Sequence, residues 1–153
     1  MEREQGLITS IQLNPGHGVP MREVDAAELK PDYGIEGDRH ARPKSRRQIL
    51  LVEAETLDAL GLEPGQVREQ ITTRNVDLNS LPRDSRLLLG PDVELWVTGP
   101  CHPCSLMDDI RDGLQEELRG RRGTLAWVKS GGRIRIGDAL RVMTPPGDKE
   151  MHG

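Results

Sequence analysis

Both cysteines of the chain stand three positions apart, within Thr98-Gly99-Pro100-Cys101-His102-Pro103-Cys104-Ser105. A thiol acts as nucleophile or metal ligand through its thiolate, so this stretch offers sulfur transfer, disulfide exchange or soft-metal binding. The Cys-x-x-Cys spacing suits a redox dithiol or half of a zinc site. A structural zinc site takes four ligands, and the local supply ends at Cys101, His102 and Cys104, with His40 or His17 as recruits from elsewhere. A thioredoxin-like dithiol needs a βαβ setting, which the strand-rich surroundings do not offer. The third reading is one reactive thiolate. Cys104 directly precedes a helix-like segment from Ser105, whose free N–H groups would lower a thiol's pKa, while Asp108 and Asp109 would oppose the shift. A buried, inert cysteine is the plain alternative.

A second set of residues suits anions. Residues 30–47 form a long polar stretch with almost no core material, and loops of that length inside a compact domain are functional or disordered. From Asp38 to Arg47 it carries Arg39, Arg42, Lys44, Arg46 and Arg47 against a single Asp, in a chain of net charge −4. Arg119-Gly120-Arg121-Arg122-Gly123 is a second basic segment. Arginine forks match phosphate and carboxylate oxygens, and the glycines let backbone N–H groups approach as well. No Gly-x-x-x-x-Gly-Lys or Gly-x-Gly-x-x-Gly occurs, so common nucleotide loops are not the route. Asp38 and His40 place an acid and an imidazole in the first basic loop, where a polar turn built on Asp38 is the plain alternative. Glu69 falls in a strand-like stretch, where an outward-facing charge is the ordinary outcome.

The elements that must position these groups are short. At 153 residues the chain suits one domain with a real core, filled by Leu, Ile and Val because Tyr33, Trp96 and Trp127 are its only aromatics. Seventeen glycines and 11 prolines favour many turns joining short strands. Strands are expected at Gly6–Leu13, Met21–Leu29, Ile49–Val52, Val67–Thr73, Leu87–Leu89 and Val93–Thr98, the last two as a hairpin. A helix is expected over Glu53–Leu60, stopped by Gly61. A second is expected after Ser105, with Leu106, Ile110, Leu114 and Leu118 on one face. Thr124–Lys129, Ser130-Gly131-Gly132, Arg133–Ile136 and Ala139–Met143 read as strand, tight turn, strand and final strand. The fold class is therefore mainly β with a few short helices, a small closed β-barrel over residues 6–143, followed by a disordered tail at 144–153.

The acidic balance argues against a nucleic-acid or membrane-surface binder. No apolar run is long enough to span a membrane, and the N-terminus lacks a secretory apolar core, so a cytoplasmic protein is expected. Two cysteines so close in sequence cannot staple a fold of this size.

The ordered pieces Gly34-Ile35-Glu36-Gly37-Asp38-Arg39-His40, Arg47-Gln48-Ile49-Leu50-Leu51, Arg68-Glu69-Gln70-Ile71-Thr72, Leu78, Thr98-Gly99-Pro100, Pro103-Cys104, Arg121-Arg122-Gly123 and Gly132–Asp138 resemble the MOSC domain, named for the C-terminal domain of molybdenum cofactor sulfurase. The resemblance implies a β-barrel and a molybdenum cofactor (molybdopterin), with Cys104 as metal ligand or catalytic sulfur carrier. The family's activities are sulfur carriage for metallosulfur centres and cofactor-dependent reduction of N-hydroxylated compounds. The second would need an electron-transfer partner and the first a sulfur-donor protein. Pyridoxal phosphate is associated with the family through the sulfurase, but no lysine here is set for a Schiff base. The resemblance assigns Arg39, Arg47, Arg121 and Arg122 to the cofactor's phosphate. It assigns Glu69 and Thr72 to pterin contacts, and His40 and Asp38 to hydrogen bonding or proton handling. Gln70 stands where the family has Asn, and Cys101 where Arg commonly precedes the Pro-Cys pair, which leaves room for a Cys101–Cys104 disulfide or persulfide relay. A non-catalytic thiol or zinc-binding module is the reading from a different class.

Overall fold

The computed structural model describes the backbone of residues 2–143 and side chains from residue 5 onward. In chain order the elements are β1 (Glu2–Leu13), β2 (Arg22–Val24), β3 (Ala26–Lys30), β4 (Gly34–Ile35), β5 (Ile49–Glu53), α1 (Ala54–Leu60), β6 (Ile71–Arg74), β7 (Arg86–Leu89), β8 (Val93–Pro100), α2 (Met107–Ile110), α3 (Leu114–Glu117), β9 (Thr124–Ser130), β10 (Gly132–Arg135) and β11 (Ala139–Met143). Strands β1, β11, β7, β8, β9, β5 and β6 pair in that order, and β6 returns to β1, so seven strands close a barrel. Closure removes the open edges that a small sheet with long polar loops would otherwise expose. β2 pairs antiparallel with the end of β1, and β3, β4 and β10 form a separate three-stranded sheet. β5 and β6 run parallel, with α1 as the crossover between them. All other pairings are antiparallel.

β5 explains why its sequence reads as an unbroken apolar run. Ile49 and Leu51 join the barrel core with Ile8, Ile71, Leu95, Val97 and Ala126. Leu50 and Val52 face a second apolar cluster with Leu57, Leu62, Val67, Met107, Leu114, Leu118 and Cys101. A strand covered on both faces cannot alternate. Each such leucine contributes about 1.5–3 kcal/mol by leaving water. The second cluster is what holds α1, α2, α3 and the cysteine loop against the barrel wall.

Several sequence expectations change in detail. Met21–Leu29 splits into β2 and β3 at Asp25. The strand expected from Val67 starts at Ile71, because Gly65 and Arg68 both take positive φ (90° and 69°) and keep the chain in a turn. The single helix after Ser105 is two one-turn helices: the first ends where Arg111 turns extended (φ −163°, ψ 135°), and left-handed Gly113 (φ 84°) caps the start of the second. Leu106 consequently points to solvent at 64% exposure, while Met107, Leu114 and Leu118 are buried. The Gly131-Gly132 step does not fold β10 back on β9. β10 pairs with β3, and Gly131 is small because a Cβ there would lie 2.4 Å from the Leu29 carbonyl oxygen. The tail expected at 144–153 lies outside the described residues.

Candidate functional site

The cysteine loop leaves the end of β8. Buried positions alternate along that strand at Val93, Leu95, Val97 and Gly99, and Cys101 continues the series at 6% exposure. Its backbone N–H donates to the Gly123 carbonyl at 3.0 Å, which ties the loop to the start of β9. Cys104 is exposed, and both cysteines are free thiols. The two are thus unlike: one is core, the other faces water. The Cys104 carbonyl accepts from the Met107 N–H at 3.0 Å. α2 is a single turn capped by Leu106, two residues beyond Cys104, rather than a helix beginning at Ser105. Thr98 Oγ1 donates to the Arg46 carbonyl at 2.6 Å, so the strand that carries the cysteines also anchors the basic loop.

That basic loop forms a half-open pocket of about 360 Å³ lined by Arg39, His40, Arg42, Ser45 and Arg47. Its shape is fixed from below by Asp32, whose Oδ1 accepts from the Lys44 N–H at 2.9 Å, Gln48 Nε2 at 3.3 Å and Trp127 Nε1 at 2.7 Å. The Trp127 bond, then the Lys44 N–H, hold the Asp32 carboxyl below its usual range. Gln48 is fully buried. Its Nε2 donates to the Arg42 carbonyl at 3.0 Å, and its Oε1 accepts from the Val128 N–H at 3.0 Å. Among the described residues no carboxylate pairs with Arg39, Arg42, Arg46 or Arg47.

Behind the cavity lies a buried polar network. Asp38 accepts from the Asn14 N–H (2.7 Å), the His40 N–H (3.0 Å) and Gln70 Nε2 (3.1 Å). Its carboxylate therefore organises the turn that presents Arg39 and His40. Gln70 also accepts from the Leu50 N–H at 2.8 Å through Oε1, bridging β5 to that turn. Glu69 is fully buried. Its Oε2 accepts from the Gly65 N–H and Thr72 Oγ1, both at 2.9 Å, while Oε1 has no partner. Burial pushes the Glu69 carboxyl up, against the N–H groups of Gly65 and Glu69 itself, the Thr72 hydroxyl and the Arg122 charge. Arg122 is buried as well. Its Nη2 donates to the Val67 carbonyl at 2.7 Å, but Nε and Nη1 are without partners. Arg121 turns back onto the Glu117 carbonyl at 2.8 Å, and Arg119 pairs with Glu116 in solvent. Of the second basic segment, Arg122 alone enters the interior network.

The sequence did not single out Gln48, Asn14 or Arg68. Arg68 donates to the Val19 carbonyl (2.7 Å) and Asn14 Oδ1 (3.3 Å), pinning loop 14–20 beside the Asp38 turn. Gln48 and Arg68 lie inside the quoted motifs without an assigned role, and Asn14 lies outside them. Among the described residues no three His, Cys, Asp or Glu side chains converge as a metal-ligand group, so no zinc centre built from protein ligands alone is found there. What is present among the described residues is an exposed thiol at Cys104, guanidiniums without acidic partners on residues 39–47, and unpartnered buried polar atoms on Glu69 and Arg122, donor types that suit a ligand bringing its own metal ligands. Among the described residues no helix is long and apolar enough to cross a membrane.

No curated protein matches the chain. Among solved structures, YuaD from Bacillus subtilis superposes with a TM-score of 0.79 at 22% identity, covering 93% of this chain and 98% of that one. YiiM from Geobacillus stearothermophilus gives 0.69 at 17% identity over 90% and 75% of the two chains. YiiM from Escherichia coli gives 0.65 at 16% over 94% and 70%. These likenesses concern the barrel. A family model for the MOSC domain matches residues 36–141. That span takes in the Asp38 turn, the basic cavity, Glu69, Cys104 and Arg122, and the chain belongs to the MOSC domain family.

Proposed function

We propose that this protein binds molybdenum cofactor and carries sulfur for metallosulfur centres through Cys104. The observation that supports it most directly is the division between the two cysteines. Cys104 stands in solvent, whereas Cys101 is packed among leucines, and β8, the strand that leads into both, bonds the basic loop through Thr98 Oγ1 and the Arg46 carbonyl. Arg39 and Arg47, with Arg42, would hold the cofactor's phosphate. Arg122, Glu69 and Thr72 supply hydrogen-bonding groups for its polar edge, and Asp38 keeps His40 and Arg39 in position. The cofactor, when bound, supplies a sulfur-accepting metal centre. In the carrier step the Cys104 thiolate attacks the terminal sulfur of a persulfide on a donor protein. The donor's S–S bond breaks, its thiolate leaves, and Cys104 holds the persulfide.

Expression in hosts with and without cofactor synthesis, followed by measurement of bound molybdenum and pterin, tests the cofactor half. Both are expected from the competent host only, and zinc at one equivalent with neither would sink the reading. Incubation with a persulfide donor should add one sulfur atom to the peptide bearing Cys104, and Cys104→Ser should abolish it. Sulfur appearing on Cys101 instead would reverse the assignment.

A further inference from the structure

The pocket bounded by residues 39–47 gathers exposed arginines that have no acidic partner among the described residues on a backbone held in place from the barrel. The Asp32, Gln48 and Thr98 contacts fix the loop's backbone. Like charges held well inside one Debye length repel, and an anion between them relieves that repulsion. His40 lines the same cavity. The charged and titratable groups acting on it are Asp38 and Arg39 on its own turn, Arg47 at the far end of the loop, and Arg68 from the turn before β6. His17 stands one step further out, with Nδ1 3.4 Å from Arg39 Nη1.

We propose that His40 is a ligand of the oxyanion bound in this cavity and enters the complex as imidazolium, so that the site favours a dianionic tetrahedral group such as a phosphoryl and takes up a proton with it. Without an anion the imidazolium is disfavoured. Partial burial lowers the His40 pKa first, Asp38 opposes this, and Arg39, Arg47 and Arg68 lower it further. A dianion in the pocket beside Arg39 and Arg47 offsets their repulsion of the imidazolium and gives one ring N–H an acceptor. Linkage then requires binding to tighten as pH falls. The inference deepens the cofactor reading, whose phosphate this cavity would take.

Sulfate tests it, being a tetrahedral dianion that does not itself titrate in the relevant range. Titration calorimetry between about pH 5 and 8, in two buffers of different ionisation heat, counts the protons bound. Uptake should approach one proton, and affinity should weaken by up to about tenfold per pH unit across the upper part of the range. His40→Gln should still bind sulfate, with uptake abolished and the pH profile flat. His17→Gln should leave uptake in place, and Arg42→Gln with Arg47→Gln should weaken binding at every pH. Sulfate binding without proton uptake, uptake surviving in His40→Gln, or no sulfate binding at all would each overturn the proposal. Lack of molybdenum and pterin would leave a positive sulfate result standing, and a failed sulfate result would leave cofactor loading untouched.

Discussion

The Arg122 charge acts on Glu69, yet no hydrogen bond joins the two side chains. Glu69 Oε1 and Arg122 Nε and Nη1 are all buried without partners. Leaving such groups unpaired costs several kcal/mol by the usual accounting for interiors. Stability alone would favour apolar residues at both positions. Under the proposed cofactor reading, these unpartnered atoms are the donors and acceptor that a bound ligand would complete.

This arrangement sets a pH dependence. The Glu69 carboxyl is raised by burial, so its contribution to stability is fully present below the unfolded value and is lost as pH rises through the folded one. Glu69→Gln removes that loss. The variant should exceed the parent in urea midpoint at neutral pH, with the gap closing toward pH 4.5, where an unperturbed glutamate titrates. Parallel urea curves from acid to neutral pH measure it. A constant gap would show that Glu69 does not titrate as its burial demands.

Gln70 joins β5 to the turn carrying Arg39 and His40 through the Leu50 N–H and Asp38 Oδ2. Gln70→Ala leaves the buried Leu50 N–H without a partner, a cost of about 1–3 kcal/mol. It also frees one side of Asp38. Gln70→Asn is one methylene shorter and should recover only one of the two bonds, so its denaturation midpoint should fall between those of the parent and the Ala variant. Equal midpoints for Ala and Asn would show that the span does not matter.

Much of the barrel was legible because alternation survives in most of its strands: Leu87 and Leu89, Leu95 and Val97, Leu140 and Val142 all face the core. β5 was legible as a run because both its faces are covered. The helix after Ser105 misled because leucines at every fourth position describe a face only while the backbone stays helical, and extended Arg111 ends it. β10 misled because a Gly-Gly step marks a hairpin and a close backbone contact equally well. At the site, parity along β8 did carry a signal, since the buried odd-numbered positions run on to Cys101. The burial of Glu69 and Arg122 carried none, because an isolated charge in a strand or loop is normally outward. Cavity formation by residues 39–47 depends on Asp32, Gln48 and Trp127, which meet only after folding.

Gly123 is where the Arg122 segment meets the barrel. It sits at φ 105°, and a Cβ there would lie 2.3 Å from the Leu51 carbonyl oxygen. Neither the backbone conformation nor the β5 carbonyl can give way cheaply. Gly123→Ala should destabilise by about 2–4 kcal/mol and displace both Arg122 and the Cys101 N–H bonded to the Gly123 carbonyl. Gly120→Ala meets no atom within 4 Å, although φ there is 79°, so it carries only the conformational cost, about 1 kcal/mol. Thermal denaturation of the pair separates contact from conformation, and equal losses would remove the close-approach explanation.

The cysteines should separate just as cleanly. Cys101 lies in an apolar cluster with Met107, Leu118 and Leu125, so Cys101→Ser puts a hydroxyl where no water reaches and should cost about 1–3 kcal/mol. Cys104 is exposed, and Cys104→Ser should change stability by less than about 0.5 kcal/mol. A thiol reagent added to the native protein should modify Cys104 at once, and Cys101 only at the rate of unfolding. If Cys104→Ser loses sulfur loading while Cys101→Ala, which keeps the cluster apolar, retains it, the second thiol is packing. Loss of loading in a folded Cys101→Ala protein would instead make Cys101 a partner in the transfer and would require the cysteine loop to open during it.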